Sequence, residues 1–136
     1  MKITYTLENN LDPNEFLEVL ISSGLGERRP IQNFARISAM VKNSNLIITA
    51  RKELKMIGVA RSITDFAYAT YLSDLAISKD YQKQGIGKEL IRLTKIASKQ
   101  AKLILLSAPA AVEFYPRIGM TQHPHCFYLD DVADII

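Results

Sequence analysis

The chain has 136 residues, 48% of them hydrophobic and 23% charged, with a formal net charge of +3. That size and balance fit one soluble globular domain, residues 1–136, rather than two domains or a disordered tail. The charge is too small for the basic stripe of a nucleic-acid binder, and the longest apolar stretch, Leu103 to Val112, is about half the roughly 20 residues that span a bilayer.

In chain order, Lys2 to Leu7 alternates in β-rich fashion and predicts a first strand. Asp12-Pro13 predicts a helix start, with Asp12 as N-cap and Pro13 at the first helical position, where its missing N–H costs nothing. Phe16, Leu17, Leu20 and Ile21 follow helical spacing until Ser23-Gly24. Gln32 to Lys42 predicts a short second helix. Asn45–Arg51 and Lys55–Ser62 read as a hairpin joined by the charged turn Lys52-Glu53-Leu54. Ala67 to Ser78 is another strand candidate. Ile86 to Ala101 is the clearest helix, with Ile86, Leu90, Leu93 and Ala97 on one face. Leu103 to Ser107 predicts a strand buried on both faces. Ala110 to Arg117 predicts one or two helical turns closed by Gly119, and Cys126 to Leu129 a last strand that ends the sheet. The order β-α-α-β-β-β-α-β-α-β is that of a mixed α/β layer structure, helices on a sheet.

The first ten residues carry no apolar signal core, and a single cysteine, Cys126, leaves no internal disulfide. Both point to a reducing, cytoplasmic setting without a membrane partner. The charge is unevenly spread. From Lys79 to Lys102 seven basic residues face only Asp80 and Glu89, while Glu113 to Ile136 holds four acids against Arg117.

Gln82-Lys83-Gln84-Gly85-Ile86-Gly87 lies between a predicted strand and that clearest helix. Glycines there permit positive φ and close backbone approach. The free N–H groups of the following turn, with the helix dipole, form an anion site. Gly87-Lys88 is followed by Glu89, which excludes a Walker loop, and Leu90 excludes the dinucleotide fingerprint Gly-x-Gly-x-x-Gly. Taken alone, the loop reads as an ordinary entry into a helix.

Leu75-Ala76-Ile77, then Ser78-Lys79-Asp80-Tyr81 and Gln82-x-x-Gly85-x-Gly87, resembles the acetyl-coenzyme A signature of the GCN5-related N-acetyltransferase (GNAT) family. Ala110-Ala111-x-x-Phe114-Tyr115-x-x-x-Gly119 resembles the family's second landmark, and 33 residues separate Gln82 from Tyr115. Val59-Ala60-Arg61 followed by Asp65 is similar to a small bacterial or plastid-type branch. The resemblance implies the acyl-CoA N-acyltransferase fold: a mixed, mostly antiparallel central sheet with helices on both faces.

The resemblance also implies roles. Leu75, Ala76 and Ile77 would pair with pantetheine lying as an added strand, and one N–H would polarise the thioester carbonyl. The amides of Lys83, Gln84, Gly85, Ile86, Gly87 and Lys88, after Gln82, would cradle the pyrophosphate. Acetyl would pass from acetyl-CoA directly to a primary amine, with Tyr115 as acid for the leaving thiolate and Asp74 as base or amine anchor. Asp65, Glu113, Asp130, Asp131 and Asp134 are weaker base candidates. The blander alternatives are packing for Tyr115 and capping or ion pairing for Asp74. His123, His125 and Cys126 do not follow a zinc spacing, so no metal is expected. The sequence departs from the pattern at Ala108-Pro109, where many members carry a coenzyme-binding asparagine, and at Met120, where phenylalanine is usual. The acidic end of the chain suits a small cationic amine, the family admits a homodimer, and the rival function is a non-catalytic acyl-CoA-binding sensor.

Overall fold

Local sequence explains most element boundaries in the computed structural model, which describes residues 2–136. Strand β1 is Ile3–Leu7. Helix α1, Pro13–Ser23, opens where the Asp12 carboxylate accepts from the Asn14 N–H at 2.9 Å. It closes at Gly24, whose φ of +88° is a left-handed C-cap that only glycine adopts cheaply. Helix α2 is Phe34–Lys42. It begins two residues later than the apolar pattern suggests, because the Asn33 side chain caps it by accepting from the Arg36 N–H at 3.1 Å.

Strands β2 (Leu46–Lys52), β3 (Lys55–Thr64) and β4 (Ala69–Ile77) form an antiparallel meander, and β1 pairs antiparallel with β2. Helix α3, Ile86–Ala97, ends four residues before the predicted Ala101. The hydroxyls of Thr94 and Ser98 turn back onto the carbonyls of Leu90 and Thr94, and Ser98 leaves helical geometry at φ −134°. Strand β5 is only Lys102–Ile104 and pairs parallel with β4. The five strands stand in the order β1-β2-β3-β4-β5.

Two sequence expectations fail. The run after Ala101 is not buried on both faces: Ile104 and Leu106 are exposed, so its continuous apolarity did not report a central strand. Cys126–Leu129 forms no strand. Phe127 is 91% exposed, and β propensity without a partner or a face to bury does not make a strand.

The sheet is covered on both faces. Phe16, Val19 and Leu20 of α1 and Ile37 and Val41 of α2 pack on Ile47, Met56, Val59 and Ala76. Each such fully buried large side chain is worth about 1.5–3 kcal/mol. On the other face α3 seats Ile86 and Leu90 over Gly58, where an added Cβ would lie 3.3 Å from Leu90 Cδ1. The chain divides into two compact units, one ending at Leu106 and one from Ser107 to Ile136. The second holds helix α4, Phe114–Arg117, and short 3-10 turns at Pro109–Ala111 and Val132–Asp134. Among the described residues no helix is long and apolar enough to cross a membrane.

Arg51 of β2 ties β1 to α1. Its guanidinium donates to both Glu8 carboxylate oxygens, at 2.8 and 2.9 Å, and to both Glu15 oxygens, at 2.7 and 3.0 Å. The Arg51 hydrogen bonds hold the Glu8 carboxyl below its ordinary value of 4.5. A carboxyl lowered by folding contributes stability above its unfolded pKa and loses it as pH falls through the folded one. The melting temperature of the wild type should therefore exceed that of Glu8→Gln near neutral pH. The gap should close on acidification from about pH 5 to about pH 3. A constant gap would remove the ion pair from acid stability.

Candidate active site

The sheet has an opening along β4. Pairing with β5 stops at Tyr71, opposite Ile104, while β4 continues to Ile77. Over Leu72–Ile77 its only strand neighbour among the described residues is β3. The Ser78 N–H donates to the Ile57 carbonyl of β3 at 2.8 Å. Because the two sides of a peptide unit point oppositely and strand residues alternate, the N–H and C=O groups of Leu75 and Ile77 face the open edge. Those of Ala76 face β3, and its side chain is in the core. Of the three predicted strand contacts, Leu75 and Ile77 thus turn their backbone to the open edge, where the Ile77 carbonyl is taken by Gln82 Nε2, and Ala76 does not.

The open edge leads into the glycine loop. Gln82 ties it down, its Nε2 donating to the Ile77 carbonyl at 2.9 Å and the Ser23 carbonyl at 3.3 Å. Gln82 therefore anchors the loop by its side chain. Lys83 and Gly85 both adopt left-handed φ, +64° and +85°. Gly85 is the N-cap of α3 and supplies no side-chain hydrogen bond. The first helical bond runs from the Glu89 N–H to the Gly85 carbonyl at 3.1 Å, so the N–H groups of Ile86, Gly87 and Lys88 lack helical acceptors. Ile86 is buried against the sheet, and Gln84 and Lys88 are exposed. The result is a row of donors at the positive end of a helix dipole, shaped for an oxyanion.

A family model described as an acetyltransferase (GNAT) domain matches residues 27–132. The chain belongs to the GNAT acetyltransferase family. A GCN5-related N-acetyltransferase 2, chloroplastic, of Arabidopsis thaliana is 26% identical over an alignment covering 91% of this chain. This chain spans 62% of that relative's length. Among solved structures, a GNAT-family protein of Streptococcus pneumoniae superposes with a TM-score of 0.76 at 20% identity, over 95% of this chain and 98% of the other. The aminoglycoside N-acetyltransferase AAC(6')-Iy, in complex with CoA, superposes with a TM-score of 0.73 at 12% identity, over 96% of this chain and 95% of that one. These two likenesses speak to the fold, an α/β sheet of the GNAT type.

In this GNAT chain the predicted base is enclosed. Asp74 is fully buried, and its two oxygens accept from Arg29 Nε and Arg61 Nε. A carboxylate with no exposed surface, held by two guanidiniums, does not reach a substrate amine in this arrangement, and the geometry is that of the ion pair named as the blander alternative for Asp74. Asp65 is exposed, and its Oδ1 alone accepts from the N–H groups of Ala67, Tyr68 and Ala69, which hold its carboxyl below the ordinary range and make it a weaker base. Asp131 accepts from the Ala133 N–H as the cap of a short turn. His123 Nδ1 accepts from the His125 N–H at 3.0 Å.

Tyr115 lies on α4 of the second unit, half-buried, with the Phe114 ring edge-on at 5.1 Å. Burial pushes its phenol above the ordinary value of 10.0, so it stays protonated through the physiological range. The residues that sequence reasoning missed are Arg29, Arg61 and Ser73. An arginine inside the apolar run of β3 was the signal for the buried ion pair. Ser73 is the extra residue where the β3–β4 register shifts, Arg61 pairing with Asp74 and Ser62 with Leu72.

Proposed function

We propose that this chain is an acetyl-CoA-dependent N-acetyltransferase acting on a small primary amine. The observation that carries the reading is the unpaired edge of β4 running into the uncapped first turn of α3 behind Gly85. An extended amide-bearing arm suits the edge as an added strand, and a pyrophosphate suits the turn. Both occur in the coenzyme, in that order, and the family match over residues 27–132 supports treating both units as one acetyltransferase domain. In the reaction the neutral amine attacks the thioester carbonyl, the C–S bond breaks, and the thiolate takes a proton. An N–H of the Leu75–Ile77 edge would stabilise the oxyanion. Tyr115, at the position that matches the family's acid, is the donor: its raised pKa keeps the phenol protonated. Because that pKa exceeds the roughly 8.5 of a thiol, it stabilises the leaving sulfur by donating a hydrogen bond as the C–S bond breaks. The proton the thiolate finally takes is the one the amine gives up through water.

With Asp74 enclosed in its ion pair and Asp65 made a weaker base by the amides on its Oδ1, deprotonation of the amine through water is the route that needs no dedicated carboxylate. The same observation favours a second reading, a non-catalytic acyl-CoA sensor. Free-thiol release across an amine panel separates them: turnover with any amine supports the enzyme, and acetyl-CoA binding with no release supports the sensor. Tyr115→Phe should lower kcat about 100-fold or more with little change in acetyl-CoA affinity, as expected for loss of a general acid. Unchanged kcat would remove Tyr115 from the mechanism.

A further inference from the structure

The ion pair around Asp74 carries one positive charge too many. Arg29 and Arg61 share the single carboxylate, and no other acid lies within ion-pair distance of either among the described residues. Arg61 is buried and well supplied: beyond Asp74 it donates to the Met40 carbonyl, Ser44 Oγ and Ser73 Oγ. Arg29 differs. Its side chain is 20% exposed. It donates to Asp74, to the Ser73 carbonyl at 2.8 Å and to the Arg28 carbonyl at 2.8 Å. A guanidinium has five N–H groups, so two on Arg29 remain without a protein acceptor. Lys-like mobility is absent, because three bonds already hold the group in place.

Its position gives the surplus charge a meaning. Ser73, which Arg29 grips, is the bulged residue of β4 and lies two positions beyond Tyr71, where β5 pairing stops. It therefore sits at the closed end of the opening, about 13 Å along the strand from Ile77 and the glycine loop. If the pyrophosphate occupies the loop and the arm follows the edge, the thioester comes to this closed end. Arg29 follows the 3-10 turn Leu25–Arg28 and precedes α2, on the sheet face that α1 and α2 cover. It thus meets the closed end of the opening, at the Ser73 carbonyl, from outside the strand plane in which the arm would lie.

We infer that Arg29 binds a carboxylate carried by the acceptor, making the acceptor an amino acid or a similar amine with an acid beside it. The inference rests on the acetyltransferase reading and refines the cationic amine expected from the acidic end of the chain into a zwitterion. A half-buried guanidinium with a fixed orientation and two free donors is built for such a group.

The test pairs amino acids with the amines left by their decarboxylation, read by thiol release with acetyl-CoA. Wild-type kcat/KM should favour the carboxylate-bearing member at least about tenfold in some pair, the scale of one charge-assisted contact. In Arg29→Gln that ratio should collapse toward one, mainly through a higher acceptor KM, and Arg29→Lys should restore part of it. No wild-type preference, or a Gln variant that slows both members equally, would overturn the inference. A succinyl-CoA arm with plain amines distinguishes the other source: an Arg29-dependent gain there alone places the carboxylate on the acyl chain and also overturns it. Calorimetry on the wild-type protein saturated with CoA is independent of turnover and of variant folding. Binding of the amino acid but not its decarboxylated partner is expected. Binding of neither overturns the inference. Turnover of plain amines alone defeats this inference and leaves the acetyltransferase reading standing, whereas coenzyme binding with no release from any amine defeats that reading itself.

Discussion

Asp74→Ala should cost about 3–5 kcal/mol of stability, the largest single loss expected in this protein. The carboxylate is fully buried between Arg29 and Arg61, and removing it leaves the Arg61 guanidinium in the interior without a counter-charge. Arg61 has nowhere to go: it is packed over the Phe16 ring at 5.9 Å and hydrogen-bonded to α2 through Met40 and Ser44. For a domain of this size that loss lowers the melting temperature by roughly 10–20 °C, measured by circular dichroism. Asp74→Asn keeps the shape and one acceptor oxygen and should lose less. A drop within about 1 kcal/mol for the alanine variant would show that the pair does not hold β3, β4 and the segment before α2 together. A catalytic base would behave otherwise, with activity lost and stability nearly kept, so the same experiment checks the ion-pairing role of Asp74.

Gly87→Glu should abolish the stabilisation that acetyl-CoA confers. If the wild type binds through the α3 turn, coenzyme at about one hundred times its Kd adds roughly 2.7 kcal/mol. Gly87 is in the first turn of α3, among the N–H groups without acceptors, and a glutamate there brings bulk and negative charge to the anion position. Its effect on the unliganded protein should be opposite in sign. An acid in the first helical turn complements the dipole, and replacing a helical glycine raises helix propensity, each worth up to about 1 kcal/mol. The variant should therefore melt no lower than wild type without ligand and show no shift with millimolar acetyl-CoA. A retained shift would take the pyrophosphate away from this turn.

How much was legible beforehand divides along physical lines. Elements with local signals were: Asp12, Pro13 and Gly24 bracket α1, alternation marks β1, and β-rich runs mark β2 to β4. The glycine loop was also legible, since Gly85 and the N-terminus of α3 depend on neighbours in sequence. What failed depends on partners far along the chain. Leu103 to Ser107 looks central by composition, yet only its first two residues, Leu103 and Ile104, find pairing, and Cys126 to Leu129 find none. Asp74 looks like a candidate base beside the coenzyme strand because its two guanidinium partners are 45 and 13 residues away in sequence. A charged residue in an apolar strand, as Arg61 is, predicts a buried counter-ion, but not which acid supplies it.

Gly58 bears on how substitutions in this protein should be interpreted. Its missing side chain lets α3 lie directly on β3, with Leu90, Ala50 and Ile86 all within 3.4 Å of where a methyl would be. Ile86 is also the first residue of α3, immediately after the Gly85 cap. The helix end that offers its amides outward is thus levelled by a contact deep in the sheet. A bulkier residue at position 58 would overpack this contact at a cost of about 1–3 kcal/mol, and in tipping the helix it would also misalign those amides. Such a lesion would look like a binding-site defect although it touches no ligand atom.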